Sequence, residues 1–160
     1  MTRSLDSLSP LLRYTRASEM SAGRIIEAYS TSFGTATRLL GTRHRAHIRN
    51  IYALVRIADE LVDGATAEAE MAPADQHSAL DRLEEETARA IACGYSSNPI
   101  VHAFARTARS AGIDDDLTRP FFSAMRTDLD AAVSECAPGL PNDRQLLFDA
   151  EDHAHYVYGS

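Results

Sequence analysis

Apolar residues recur along this chain at spacings of three and four, the period of an amphipathic α-helix, and no segment alternates with the period of two that marks a strand. Ile25, Ile26 and Tyr29 fit a short helix that begins near Ser21 and ends between 30 and 34. A second helix is predicted over about 43–63, with Gly64 as its stop signal. The stretch GATAEAEMAPAD at 64–75 reads as a solvated loop, and a third helix covers roughly 76–93, closed by Gly94. Asn98 followed by Pro99 has the form of an N-cap with proline at the first helical position, opening a helix that Gly112 ends. Another runs over 117–133 with Pro120 in its first turn. Asn142 or Asp143 caps a final helix that is still running at Ser160. Residues 1–17 form a polar lead-in broken by Pro10, and 18–160 form one domain. The fold class is all-α.

The helix over 43–63 carries the most distinctive pattern. On a wheel of about 100° per residue, Arg56 falls at about +40° from Tyr52, Asp59 at about −20° and Asp63 at about +20°. These four make one narrow stripe, which Arg45 and Arg49 extend toward the N-terminus. Most of the remaining circumference is apolar, from Ile48 and Ile51 through Leu54 and Ala58 to Val62. Such a helix belongs in a core. Its charged stripe is then expected to face a polar cavity or to be paired internally. Asp59 and Asp63 repel one another at i, i+4, at the helix end where the dipole disfavours negative charge. A cation between them would reverse that penalty, and two carboxylates one turn apart supply the hard oxygens Mg²⁺ prefers. A structural Arg56–Asp59 or Arg56–Glu60 pair with a fraying acidic helix end is the alternative.

Composition narrows the partners. A net charge of −7 over 160 residues argues against nucleic acid, whose phosphates need a basic surface. An anionic substrate would require a local device such as a metal ion or a few arginines. Cys93 and Cys136 match no metal or redox spacing and read as reduced thiols of a cytoplasmic protein. The N-terminus lacks a signal-peptide core, and no apolar run reaches the length of a membrane span. Peripheral contact with a membrane surface stays open. Asp114, Asp115 and Asp116 are explained by N-capping, and Glu84, Glu85 and Glu86 by a solvated helix face. Neither His44 with His47 nor His153 with His155 has a third ligand at a spacing suited to zinc.

YSTSF at 29–33, followed by IYALVRIADELVD at 51–63, resembles the squalene/phytoene synthase family of head-to-head prenyl synthases. The resemblance covers nearly all of the chain after about residue 20. It implies a single helical bundle around a central cavity, in which two isoprenoid diphosphates are joined at C1 through a cyclopropylcarbinyl diphosphate. It also implies that Asp59 and Asp63 bind Mg²⁺, with Mn²⁺ as a substitute, and bridge it to diphosphate. Tyr52 and Arg56 resemble the family's diphosphate-contacting tyrosine and arginine. Ser30, Ser32 and Phe33 match an SxSF element, whose serines meet diphosphate oxygens and whose phenylalanine lines the prenyl tunnel. Asp128 in AMRTDLD and Tyr156 in HYVYGS, with Tyr158 beside it, match two further elements; Tyr52, Asp59, Asp63, Asp128 and Tyr156 are the expected catalytic set.

The implied activity is Mg²⁺-dependent condensation of two geranylgeranyl diphosphates to phytoene, without NADPH. The alternatives are squalene or dehydrosqualene formation from farnesyl diphosphate, or a non-catalytic paralogue or subunit that binds a prenyl diphosphate or a partner. Val55 and Glu60 depart from the family pattern, though neither prevents metal binding. The chain also stops before the family's second aspartate-rich motif. The expectation is therefore an N-terminal portion, incomplete as a bundle and inactive alone.

Overall fold

The computed structural model describes residues 8–30 and 41–135. Among these residues there are five long helices, one single turn of helix and no strand, so the chain is all-α as the periodicity predicts. The helices are α1 (Pro10–Tyr29), α2 (Thr42–Val62), the single turn α3 (Ala65–Glu68), α4 (Pro73–Cys93), α5 (Pro99–Ala111) and α6 (Asp115–Glu135). The helix expected from Asn142 onward lies outside the described residues.

Helix α1 corrects the expected lead-in, because it starts at Pro10 rather than near Ser21. Ser9 is its N-cap and accepts a hydrogen bond from the Leu12 amide (3.4 Å). Proline breaks a helix interior, but at the first position its missing N–H has no partner to lose and its fixed φ already suits the helix. The loop expected at 64–75 is likewise interrupted by α3. Thr66 of that turn is buried and donates toward the Glu60 and Leu61 carbonyls (3.1 Å each), while Gln76 donates to Thr66 Oγ1 (2.8 Å). The orphan carbonyls at the end of α2 are satisfied in this way.

Gly64 does end α2, but not through a left-handed cap. Its φ is −101°, and a Cβ there would lie 2.8 Å from the Glu60 Cα. Glycine is required by close backbone approach. Gly94 and Gly112, by contrast, have φ of 81° and 76°, the left-handed region in which glycine alone is unstrained. The C-terminal end of α4 has a second support. Arg109 of α5 donates to the Ile91 and Ala92 carbonyls (2.6 and 2.9 Å), with its guanidinium 3.6 Å from where a Cβ on Gly94 would stand. A cation thus neutralises a helix terminus that has no basic residue of its own.

The described helices group into two compact units, Met1–Ile57 with Glu86–Gly112, and Ala58–Glu85 with Ile113–Ser160. In the first, α1 packs along α5 over a core of Ala22, Ala53, Ile100 and Ala103, against which Ile25 and Ile57 rest. The small residues let the helix backbones approach closely. Asn98 caps α5 as expected, accepting from the Ile100 and Val101 amides (3.0 and 3.4 Å). In the second unit Phe122, Leu129 and Leu80 are the largest buried side chains. Arg126 of α6 ties α4 in place, with Nε and Nη2 on Asp81 (2.9 and 2.7 Å) and a further ion pair to Glu84. Burial alone would lower the Arg126 pKa, but its hydrogen bonds to Glu84 and Asp81 outweigh it and hold the guanidinium above its usual value.

Candidate functional site

Because α2 is continuous, the register read from the wheel carries over directly. Tyr52, Arg56 and Asp59 project from one helix, and the Asp63 amide still bonds the Asp59 carbonyl (3.1 Å) one residue past the helix end. The fully buried side chains of α2 are Asn50, Ala53, Leu54, Ala58 and Val62, centred on the face opposite the stripe. Ile48, Ile51, Val55, Ile57 and Leu61 are only half-buried, so α2 is less enclosed than its apolar circumference predicts. Tyr52, Arg56 and Asp59 are half-buried and Asp63 is exposed. The Arg56 guanidinium lies over the Tyr29 ring, 4.3 Å from its centroid.

Among the described residues no three His, Cys, Asp or Glu side chains gather as a metal-binding group. Asp59 and Asp63 are therefore joined neither by Asp128, half-buried on α6, nor by another acid in that set. A pair of carboxylates one turn apart still fits Mg²⁺ or Mn²⁺, since Mg²⁺ usually keeps several waters and takes one or two carboxylates plus substrate phosphate. Ser30 is the C-cap of α1; its amide bonds the Ile26 carbonyl (3.0 Å) and its backbone turns extended at φ −145°. Ser32, Phe33, Tyr156 and Tyr158 lie outside the described residues.

The first unit also holds a second polar centre, which residue spacing does not predict. His102 of α5 is 2% exposed, with Nε2 2.9 Å from Thr15 Oγ1 and Nδ1 facing the Ser96 amide at 3.4 Å. Since the Ser96 N–H can only donate, Nδ1 is the acceptor and the proton sits on Nε2. Thr15 passes its own hydroxyl proton to the Leu11 carbonyl (2.9 Å). Tyr14 and Tyr95 pack on the imidazole with centroids 4.8 and 5.6 Å away, and the Tyr14 hydroxyl donates to the Ser97 carbonyl (2.7 Å). Burial first, and the Arg106 charge second, lower the His102 pKa. Burial is also the main reason the Tyr14 phenol is raised.

A cavity of about 590 Å³ borders this cluster, lined among others by Leu11, Leu12, His47 and Arg106. It meets α2 at Ala46 and His47, which the helical repeat places on the side away from the Tyr52–Asp63 stripe. His47, considered above as half of a zinc pair, instead has Nδ1 3.1 Å from Thr107 Oγ1, which also accepts from Asn50 Nδ2 (3.0 Å). An apolar run, IVHAFA, interrupted by one histidine was the only local hint of the His102 cluster.

No curated protein and no solved structure matches the chain. The squalene/phytoene synthase family model matches residues 26–160, a span that begins in the last turn of α1 and takes in Tyr29, the whole α2 stripe and Asp128. With most of its length inside that match, and an all-α fold to go with it, the chain belongs to the squalene/phytoene synthase family.

Proposed function

We propose that this family member joins two geranylgeranyl diphosphates head to head to form phytoene. Head-to-head isoprenoid prenyl transfer is the chemistry of the family as a whole. The C20 substrate is preferred because YSTSF and IYALVRIADELVD most resemble phytoene-forming members. The observation that carries the proposal is the fixed register of Tyr52, Arg56, Asp59 and Asp63 along α2, inside the family match.

Asp59 and Asp63 would hold Mg²⁺, or Mn²⁺ in its place. When bound, the metal neutralises charge that develops on a departing diphosphate. Arg56 offers charge-assisted donors to the same oxygens, and the Tyr52 hydroxyl and Ser30 stand as further polar contacts. The allylic cation left behind needs apolar surroundings that exclude water, which is the role proposed for Phe33. Tyr156 and Asp128 join the catalytic set on the resemblance. No described helix is long and apolar enough to cross a membrane. A cytoplasmic protein that touches a membrane surface suits a product as greasy as phytoene.

The test is titration of the purified chain with geranylgeranyl diphosphate, with and without Mg²⁺, beside farnesyl diphosphate. Binding should require Mg²⁺, favour the C20 ligand and fall about ten- to hundred-fold in Asp59→Asn/Asp63→Asn. The chain alone should release no hydrocarbon, whereas a longer protein that carries it together with a second aspartate-rich motif should yield phytoene. Tighter farnesyl diphosphate binding with a C30 product would select the squalene-type alternative. Metal-independent binding, or binding unchanged in the double variant, would remove the assignment of the acidic pair.

A further inference from the structure

We propose that the cavity bordered by the start of α1 and the C-terminal half of α5 binds a phosphate group, either free or as the head of an amphipathic ligand. The site lies within the first unit and shares no residue with the Tyr52–Asp63 stripe, so it does not rest on the prenyl transfer proposed above. Its volume of about 590 Å³ is that of a small-ligand pocket. The surroundings are basic although the chain is not. The first unit carries twelve arginines against four acids, in a protein whose net charge is −7.

Three of the lining residues keep N–H groups that nothing among the described residues takes up. Arg106 and Arg109 stand three apart on α5, on the face of His102, where two like charges repel unless an anion joins them. Arg109 is already fixed, because both its bonds to the α4 carbonyls use Nη1, and its Nε and Nη2 remain for a ligand. Arg106 has Glu19, with Nε 3.6 Å from Oε1, and an exposed pair of that length holds a guanidinium weakly. His47 is the third. Thr107 Oγ1 accepts from Asn50 Nδ2 (3.0 Å) and gives its own proton to His47 Nδ1 (3.1 Å), so the imidazole proton sits on Nε2. A helix C-terminus accounts for one cation in the last turn of α5. It accounts neither for Arg106 nor for a histidine brought from another helix.

Two guanidinium forks and an imidazole N–H exceed what the two oxygens of a carboxylate can use, and suit the three or four of a phosphate. Glu19 is the one acid among the described lining residues, and it competes with that anion for Arg106. Helix α1 adds apolar surface. Leu11 lies on the same face as Thr15, Ser18, Ala22 and Ile26, all buried, yet it is 55% exposed where it borders the cavity, with Leu12 beside it. A phosphate held by α5 therefore places its ester group within reach of two leucines, as the head of an acidic phospholipid would require.

The experiment is calorimetric titration of the full chain with inorganic phosphate, with a chelator present so that no metal carries the anion to Asp59 and Asp63. Phosphate should bind, and about ten-fold more weakly in Arg106→Gln. Glu19→Gln should tighten it about two- to five-fold because the competing carboxylate is gone, a sign that a merely structural ion pair would not give. Arg16→Gln removes an exposed arginine of α1 that does not line the cavity, and should change nothing. Sedimentation with phosphatidylcholine vesicles, with and without phosphatidic acid, identifies the source. Capture that needs phosphatidic acid and falls in both Arg106→Gln and Leu12→Ser marks a lipid head group, whereas phosphate binding without such capture marks a soluble phosphate compound. Circular dichroism and the thermal midpoint report that each variant keeps its fold. The site is overturned if neither arm shows binding that depends on Arg106, or if Glu19→Gln fails to tighten it. Equal loss in Arg106→Gln and Arg16→Gln overturns it too, assigning the effect to diffuse surface charge.

Discussion

Replacing His102 with leucine tests whether a neutral buried imidazole fastens α1 to α5. Leucine keeps the site apolar and nearly filled, so the loss should come from polar and ring contacts. The Ser96 amide, itself buried, loses its acceptor, at a cost of about 1–3 kcal/mol. Ring packing against Tyr14 and Tyr95 contributes about another 0.5–1.5 kcal/mol. Thr15 still donates to Leu11, so it adds little. The sum, about 2–4 kcal/mol, corresponds to a fall in Tm of about 5–15 °C for a chain of this size. Amide exchange should show the lost protection concentrated in α1 and around 96–104.

The same contacts fix a pH signature. In the folded chain His102 titrates below its ordinary value, so between that lowered value and the unfolded value of about 6.5 the unfolded state binds more protons. The stabilisation is therefore complete above about pH 6.5 and is lost as pH falls from there toward the folded value. A proton added to Nδ1 would face the Ser96 N–H, donor against donor. Tyr14 and Tyr95 pack on the ring, the Arg106 charge acts on it, and Glu86 accepts from the hydroxyl (2.6 Å) of Ser96, whose amide faces Nδ1. The other histidines cancel in the difference between wild type and His102→Leu, which urea titrations between pH 7.5 and about 5 would trace. That difference should shrink with acid. A difference that stays flat, or a Tm shift within a degree or two, would refute the argument.

Two further expectations follow from α2. Gly64→Ala should cost about 1–3 kcal/mol, because the new methyl meets the Glu60 backbone, and Glu60→Ala should not rescue it; chemical denaturation of the single and double variants reads this. Asp63→Asn should raise the metal-free stability by about 0.3–1 kcal/mol, through relief of the helix dipole and of repulsion from Asp59, while weakening Mg²⁺-dependent diphosphate binding. Matched thermal melts and calorimetry separate the two effects.

Features written in a few adjacent residues were legible in the sequence. Asn98–Pro99 and Gly112 mark α5 because capping and the left-handed turn are local chemistry, and the stripe on α2 is a consequence of helical pitch alone. Pro10 was misread as a breaker, although Ser9–Pro10 has the same cap-then-proline form as Asn98–Pro99; the apolar spacing that follows it is weak, with Leu11, Leu12 and Met20 left exposed. The wheel of α2 overstated its enclosure, since periodicity reports which positions are apolar and not which neighbours cover them. His102 escaped notice because Thr15, its partner, is 87 positions away. Tyr29 was quoted in its motif without a role, for a cation–π contact to α2 leaves no trace in local spacing.

Loops between helices ordinarily absorb insertions and deletions as homologues diverge. The 94–98 turn has no such freedom: Arg109 reaches back across it to the end of α4, Ser96 feeds its amide to His102, and Asn98 starts the next helix. A single added residue would shift all three partners at once. Length variation among relatives should instead collect in the exposed stretch between α3 and α4, which makes that stretch, and not the 94–98 turn, the place to graft a tag or a reporter.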